Sequence, residues 1–105
     1  MNFPSNMLKR VRDEVGLVDR HLDVLRMVMK HQPIGIMRLA EQMSIPYHRV
    51  RYSLRVLERM GYIRASYEGA IVLNKAHKLL CELNPELDEV ITLLYTVREK
   101  NSHNV

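Results

Sequence analysis

The chain has 105 residues, 47% of them hydrophobic, and this length and composition predict one packed domain spanning residues 1–105. No apolar run approaches the roughly 20 residues of a membrane helix, and the N-terminal residues lack the apolar stretch of a signal peptide, so we expect a cytoplasmic protein without membrane contact. The formal net charge is +4, and residues 44–64, with five arginines and one acid, account for all of it.

Apolar residues at helical spacing predict two helices in the first third of the chain. The first runs from Ser5 to Val15, and we expect Gly16 to end it. The second begins after Asp19 and ends before Pro33, which disfavours the helical conformation in the residue that precedes it. Its apolar stripe, which should face the core, consists of Leu22, Leu25, Val28 and Met29.

Two short helices separated by a tight turn are predicted next. The first begins at Gly35 and ends at the turn Ser44-Ile45-Pro46. The second spans residues 46–60, since proline suits the first position of a helix and Gly61 suits the position just after its end. The residues expected to point inward are Ile36, Leu39, Ala40 and Met43 in the first helix and Val50, Leu54 and Leu57 in the second.

After Gly61 the composition becomes typical of strands. Two short runs, Tyr62–Ala65 and Ala70–Leu73, flank the turn residues Ser66–Gly69 and predict a β-hairpin. A further helix is expected from Asn74 to about Leu83. Asn84-Pro85 should then restart the chain as a last helix over residues 85–100.

The order of these elements predicts a winged helix-turn-helix, in which a bracing helix, a second helix and a hairpin follow each other closely. Residues 35–75 resemble this module in ArsR- and MarR-like transcriptional regulators, particularly small archaeal ones. The resemblance implies a mainly α fold, with a three-helix core and β-hairpin wing within residues 17–83 and flanking N- and C-terminal helices. The matching residues are Ser44-Ile45-Pro46, Tyr47-His48-Arg49, Val50, Leu54, Leu57, Glu58 and Gly61-Tyr62-Ile63.

The basic segment predicts a surface that binds double-stranded DNA, because arginines interleaved with tyrosines and a histidine suit a polyanionic partner. By the resemblance, helix 46–60 is the recognition helix that enters the major groove. We expect Arg49 and Arg51 to meet base edges, since a guanidinium can bond guanine with two hydrogen bonds. Arg55 and Arg59 are expected at phosphates. The other predicted DNA-binding residues are Tyr47, His48, Tyr52 and Arg64, the last being the only cation of the wing.

The last predicted helix has a second expected role. Its apolar stripe exceeds what a small winged-helix core needs to cover it, and this favours a homodimer. Two-fold pairing would set two recognition helices about one DNA turn apart. The N-terminal helix, through Val11 and Val15, is expected to share in the interface. The predicted interface residues are Leu87, Val90, Ile91, Leu94 and Val97.

The sequence leaves two other functions open: a winged-helix module that binds a protein partner, and a chromosomal DNA-binding protein without sequence preference. It contains no pattern of nucleophile, base and phosphate loop, so we expect no enzyme, no cofactor and no small-molecule effector. His77 and Cys81 have the i, i+4 spacing of two metal ligands. Because no further cysteine or ligand cluster accompanies them, we expect no metal site and a buried, inert thiol.

Overall fold

The computed structural model describes residues 3–103 and is mainly helical. It contains four helices and one two-stranded antiparallel hairpin within that range, an arrangement consistent with a winged-helix-like fold. In chain order the elements are α1 (Phe3–His31), α2 (Ile36–Met43), α3 (Tyr47–Arg59), β1 (Ile63–Ser66), β2 (Gly69–Val72) and α4 (Asn74–His103).

The predicted break at Gly16 is wrong, because α1 is one helix of 29 residues. Glycine in a helix interior costs about 1 kcal/mol relative to alanine, which weakens a helix without ending it. Gly16 is exposed in the middle of the helix, and no neighbour forces the chain to turn there. The residues predicted as a separate first helix therefore extend α1 beyond the core, which α1 first meets at the half-buried Leu17.

The predicted restart at Asn84-Pro85 is also wrong, since α4 runs for 30 residues with Pro85 inside it. Proline lacks an N–H and crowds the carbonyl four residues earlier, which here belongs to Cys81. Both residues are exposed, so water can bond the carbonyl that the helix leaves free. The Cys81 thiol, expected to be buried, is exposed as well.

The core lies where α1, α2, α3 and the hairpin meet. Of the predicted α1 stripe, Leu25 and Val28 are buried, Leu22 and Met29 are half-buried, and Val24 is buried instead. In α3 the expected Leu54 is half-buried, because the row that faces α1 is made by Val50, Ser53 and Leu57. The buried apolar residues are Val24, Leu25, Val28, Ile34, Leu39, Val50, Leu57, Ile63 and Ala76.

The ends of α3 lie within one residue of the predicted limits 46–60. Pro46 precedes its first residue, and Gly61 follows its last turn with φ +86°, a left-handed conformation that glycine adopts without strain. The N–H of Tyr62 donates to the carbonyl of Leu57 (2.9 Å), and the N–H of Gly61 donates to that of Glu58 (3.0 Å). This pair of bonds is a Schellman motif, and it sends the chain directly from α3 into β1.

The hairpin forms one residue away from the predicted strand limits, with Ile63 paired to Val72 and Ser66 to Gly69. Ile34, in the connection between α1 and α2, pairs with Ala70 of β2, which the sequence did not predict. The N–H of Ala70 donates to the carbonyl of Ile34 at 2.8 Å, and the reverse bond is 3.2 Å. The hairpin is thereby fastened to the helical core through the backbone.

Gly69→Ala should test this attachment. A Cβ at position 69 would lie 2.5 Å from the backbone of Ile34, and the φ of +137° is strained for any other residue. The backbone conformation alone should lower the free energy of unfolding by about 1–3 kcal/mol. Urea unfolding measures it.

Gly16→Ala is the matched control, since nothing lies within 4 Å of its added methyl group. It should instead stabilise α1 by up to about 1 kcal/mol. Equal stability of the Gly69→Ala variant and the unaltered protein would contradict the Ile34–Ala70 pairing.

Candidate nucleic-acid interface

The buried row of α3 determines which of its side chains face solvent. Val50 and Ser53 are fully buried and Leu57 is 3% exposed. The side chains about half a turn away point into solvent, and they form what we call the outer face of α3: His48, Tyr52, Arg55 and Arg59, all exposed. Four of the eight predicted DNA-binding residues therefore share one row.

Arg49 and Arg51 lie on opposite flanks of this outer face. Arg49 is one helical turn before Ser53, whose side chain touches α1, so Arg49 occupies the flank nearer α1. Arg51 lines a cleft between α3 and the hairpin, together with Arg55 and Glu58. The two residues predicted to read bases thus border the outer face from two sides.

Of the other predicted residues, Tyr47 is 44% exposed in the first turn of α3. Arg64 is exposed on β1, where it pairs with Ile71, and so belongs to the hairpin and not to the outer face. The tip of the hairpin carries the fully exposed Tyr67 beside Glu68. The hairpin therefore brings one cation and one acid to the surface near α3.

The arginines of α3 have no carboxylate within 4 Å among residues 3–103, where the ion pairs are Lys9–Asp13, Asp23–Arg26 and Glu99–His103. Glu58 is the only acid within α3 itself. Within the described residues these arginines are therefore not held in ion pairs, and an anionic partner would meet them directly.

Ser53 is the polar member of the buried row, and two side chains of α1 satisfy it. Arg20 Nε donates to its Oγ at 3.2 Å, and His21 Nδ1 lies 2.7 Å from the same oxygen. With Arg20 donating, the hydroxyl proton of Ser53 is free to be donated to neutral His21, whose own proton then lies on Nε2. The His21 ring also sits 5.8 Å from the Tyr52 ring, tilted by 43°.

No pattern in the sequence predicts that Arg20, His21 and Ser53 come together beside this surface. The one available signal was a serine three residues after Val50 and four before Leu57, at helical spacing for the inner side. Its partners on α1 are more than 30 residues away in the chain. No local pattern connects residues so far apart.

Burial lowers the pKa of His21 from its ordinary value of 6.5, and the charge of Arg20 lowers it further. Both effects favour the neutral ring that can accept from Ser53. Protonation would leave two cationic groups donating to one hydroxyl oxygen. The contact between α1 and α3 is therefore most favourable when the His21 ring is neutral.

The predicted dimer residues are all exposed: Leu87 40%, Val90 49%, Ile91 48%, Leu94 49% and Val97 64%. From Asn84 to His103 α4 has no buried or half-buried residue, so this half of the helix does not cover the core. The start of α1 has a similar uncovered stripe, made by Met7, Leu8, Val11, Val15 and Val18.

Other sites receive no support from the described residues. Within residues 3–103 no three histidine, cysteine or acidic side chains are grouped as metal ligands would be, and His77 and Cys81 are both exposed. Among the described helices, none has the length and apolar character required to cross a bilayer.

Comparison with solved structures finds a likeness to the activation domain of the phage T4 transcription factor MotA. The two share 18% sequence identity with a TM-score of 0.56, over 70% of this chain and 81% of the phage chain. At this identity the likeness concerns the fold alone. No family model and no curated protein sequence matches the chain, so the resemblance to ArsR- and MarR-like regulators stays a prediction.

The lowered pKa of His21 predicts a pH-dependent stability. The unfolded chain takes up this proton near pH 6.5, whereas folded His21 takes it up only at lower pH. The contribution of His21 to the free energy of unfolding should be fully present above 6.5 and should decrease as the pH falls through the lower, folded pKa.

Comparison with His21→Gln isolates this effect, because the two proteins differ at this residue alone. Urea unfolding from about pH 8 to about pH 5 should show the unaltered protein losing stability relative to the variant. Parallel stability curves would show that His21 has the same pKa folded and unfolded.

Proposed function

We propose that this protein is a winged-helix regulator of transcription that binds specific sites on double-stranded DNA, with α3 as the recognition helix. The observation that carries the proposal is the outer face of α3, where His48, Tyr52, Arg55 and Arg59 project from a helix whose opposite row is buried. The proposed activity is binding, without catalysis.

The dimensions of α3 support this proposal. A helix with its side chains is about 10–12 Å wide, which matches the major groove of about 12 Å. With the outer face turned into the groove, Arg49 and Arg51 lie at its two borders, from which we propose that their long side chains extend to base edges. The hairpin should contribute modestly, since Arg64 is its only cation and Glu68 stands at its tip.

We propose that the protein acts as a homodimer through α4, with the start of α1 as a second contact. The support is the apolar surface that both helices leave uncovered beyond the core. Water-exposed stripes of this kind favour association. Pairing about a two-fold axis would present two copies of α3 to one side of the duplex.

A protein-interaction module is the second proposal, and one observation favours it. The phage domain with the similar fold is named an activation domain of a transcription factor. Salt dependence separates the two functions. Affinity for DNA should fall steeply with ionic strength, whereas an apolar protein interface should respond weakly.

Selection of bound fragments from the source genome is the experiment that tests the main proposal. Recovery of one recurring sequence would support a site-specific regulator. Equal recovery of all sequences would favour a chromosomal DNA-binding protein, and recovery of none would leave the protein-interaction module.

Arg49→Ala and Arg51→Ala should each cost about 1–3 kcal/mol at the selected site and relax base choice there, because both are proposed to contact base edges. Arg59→Ala serves as the comparison. If Arg59 binds phosphate, its loss should weaken all duplexes about equally and lower the salt slope by about one unit per bound protomer. Electrophoretic mobility shifts at several salt concentrations measure both effects. Unchanged binding in both Arg49→Ala and Arg51→Ala would reject their role.

Replacing Ile91 and Leu94 together by glutamate should give a folded monomer with much weaker DNA binding. The substitutions place two charges in the proposed interface without touching the buried core, and a single half-site offers fewer contacts. Sedimentation measures the association.

Thr92→Glu with Thr96→Glu is the matched control, since it adds the same charge to the other side of α4. This control should remain a dimer. A monomeric unaltered protein at micromolar concentration would overturn the dimer proposal.

A further inference from the structure

Arg20 is a cation whose position neither core packing nor an ion pair explains. It belongs to α1 and is half-buried, and its Nε donates to Ser53 Oγ at 3.2 Å. Among residues 3–103 no carboxylate lies within 4 Å of its guanidinium, and Nε is the only nitrogen of its side chain with a hydrogen bond to the described chain. The two Nη groups are therefore available to a partner.

The arrangement at Ser53 orients this guanidinium. The serine is fully buried, so its hydroxyl would be costly without partners, and an apolar residue could have filled the same place. Instead the hydroxyl oxygen accepts a hydrogen bond from Nε of Arg20, whose planar guanidinium carries five donors in a fixed geometry. Holding Nε toward the inside directs the Nη side away from Ser53.

The location of Arg20 indicates what the Nη groups meet. Arg20 is bonded to Ser53 of the inner row, one helical turn after Arg49, and this bond places it beside the flank of α3 that bears Arg49. When α3 lies in the major groove, the outer face is nearest the bases. A group set back on the flank is beside the sugar-phosphate strand.

We propose that Arg20 binds a backbone phosphate on the α1 side of the groove, with Ser53 as the residue that positions it. This inference rests on the proposed DNA-binding function and extends the interface from α3 to α1. Arginine suits the role because its fork matches two phosphate oxygens. Arg51 stands on the opposite flank, toward the hairpin, so cations border the recognition helix on both sides.

The test is the salt dependence of binding to a random-sequence duplex, since a phosphate contact needs no particular base. Arg20→Ala should reduce the slope of log affinity against log salt by about 0.9 per bound protomer, the value for one phosphate contact. Arg20→Lys keeps the charge but loses the Nε donor that Ser53 holds. It should restore the slope, which reports the charge, but not the full affinity, because Ser53 no longer positions the group.

Lys30→Ala is the matched control. It removes one charge about 15 Å farther along α1, at about 1.5 Å per residue, which exceeds the screening length of about 8 Å at physiological salt. Its slope should equal that of the unaltered protein. Thermal unfolding of each variant checks that the fold persists.

An unchanged slope in Arg20→Ala, together with DNA binding by the unaltered protein, would overturn the phosphate contact and leave Arg20 as a structural support of α3. A failure of Arg20→Lys to restore the slope would overturn it too. If the unaltered protein itself shows no salt-dependent binding to any duplex, the proposed function fails, and this inference fails with it.

Discussion

The contact between α1 and the inner row of α3 is the interaction on which the rest of the structure depends. Burying a valine or leucine side chain contributes about 1.5–3 kcal/mol, and Val50 and Leu57 are both buried. The hydrogen bond of Ser53 with His21 contributes a net of about 0.5–1.5 kcal/mol, and the bond from the charged Arg20 about 1.5–3 kcal/mol. Apolar burial and the polar cluster thus both stabilise the contact. Ser53 sets the orientation of α3, because its hydrogen bonds with Arg20 and His21 can form at one rotation of the helix about its axis. A helix held in this way presents its opposite side in one fixed orientation.

The hairpin depends on the same core. A two-stranded hairpin is marginally stable alone in water, so four-residue strands need an attachment. Here the attachment has two parts: the buried side chain of Ile63 and the backbone pairing of Ile34 with Ala70. Both ends of the hairpin are thereby fixed relative to α3, and the cleft that holds Arg51 and Arg55 results from this placement.

The two long helices show where local signals failed and why. Gly16 and Pro85 are each unfavourable within a helix, and each lies inside one. A single unfavourable residue costs about 1 kcal/mol for glycine or about 3 kcal/mol for proline, and the favourable residues on either side outweigh it. At Gly61 the helix does end. The following hairpin buries Ile63 in the core, and the left-handed conformation of Gly61 lets the chain turn toward it. The same residue type therefore ended one helix and not another.

The sequence by itself determined the order of the elements from Gly35 to Val72, the limits of α3 to within one residue, and the concentration of positive charge on that helix. These features follow from local spacing, from proline and glycine at helix ends, and from composition. Only the tertiary structure decided which α3 residues are buried. Ser53 and Leu54 are adjacent, and the position of α1 determines that Ser53 is the more deeply buried of the two. It also decided that Arg20 and His21 lie beside α3 and that Ile34 pairs with the hairpin. Each of these is a contact between residues more than 30 positions apart in the chain, and hydrophobic periodicity, which describes one element at a time, carries no information about such pairs.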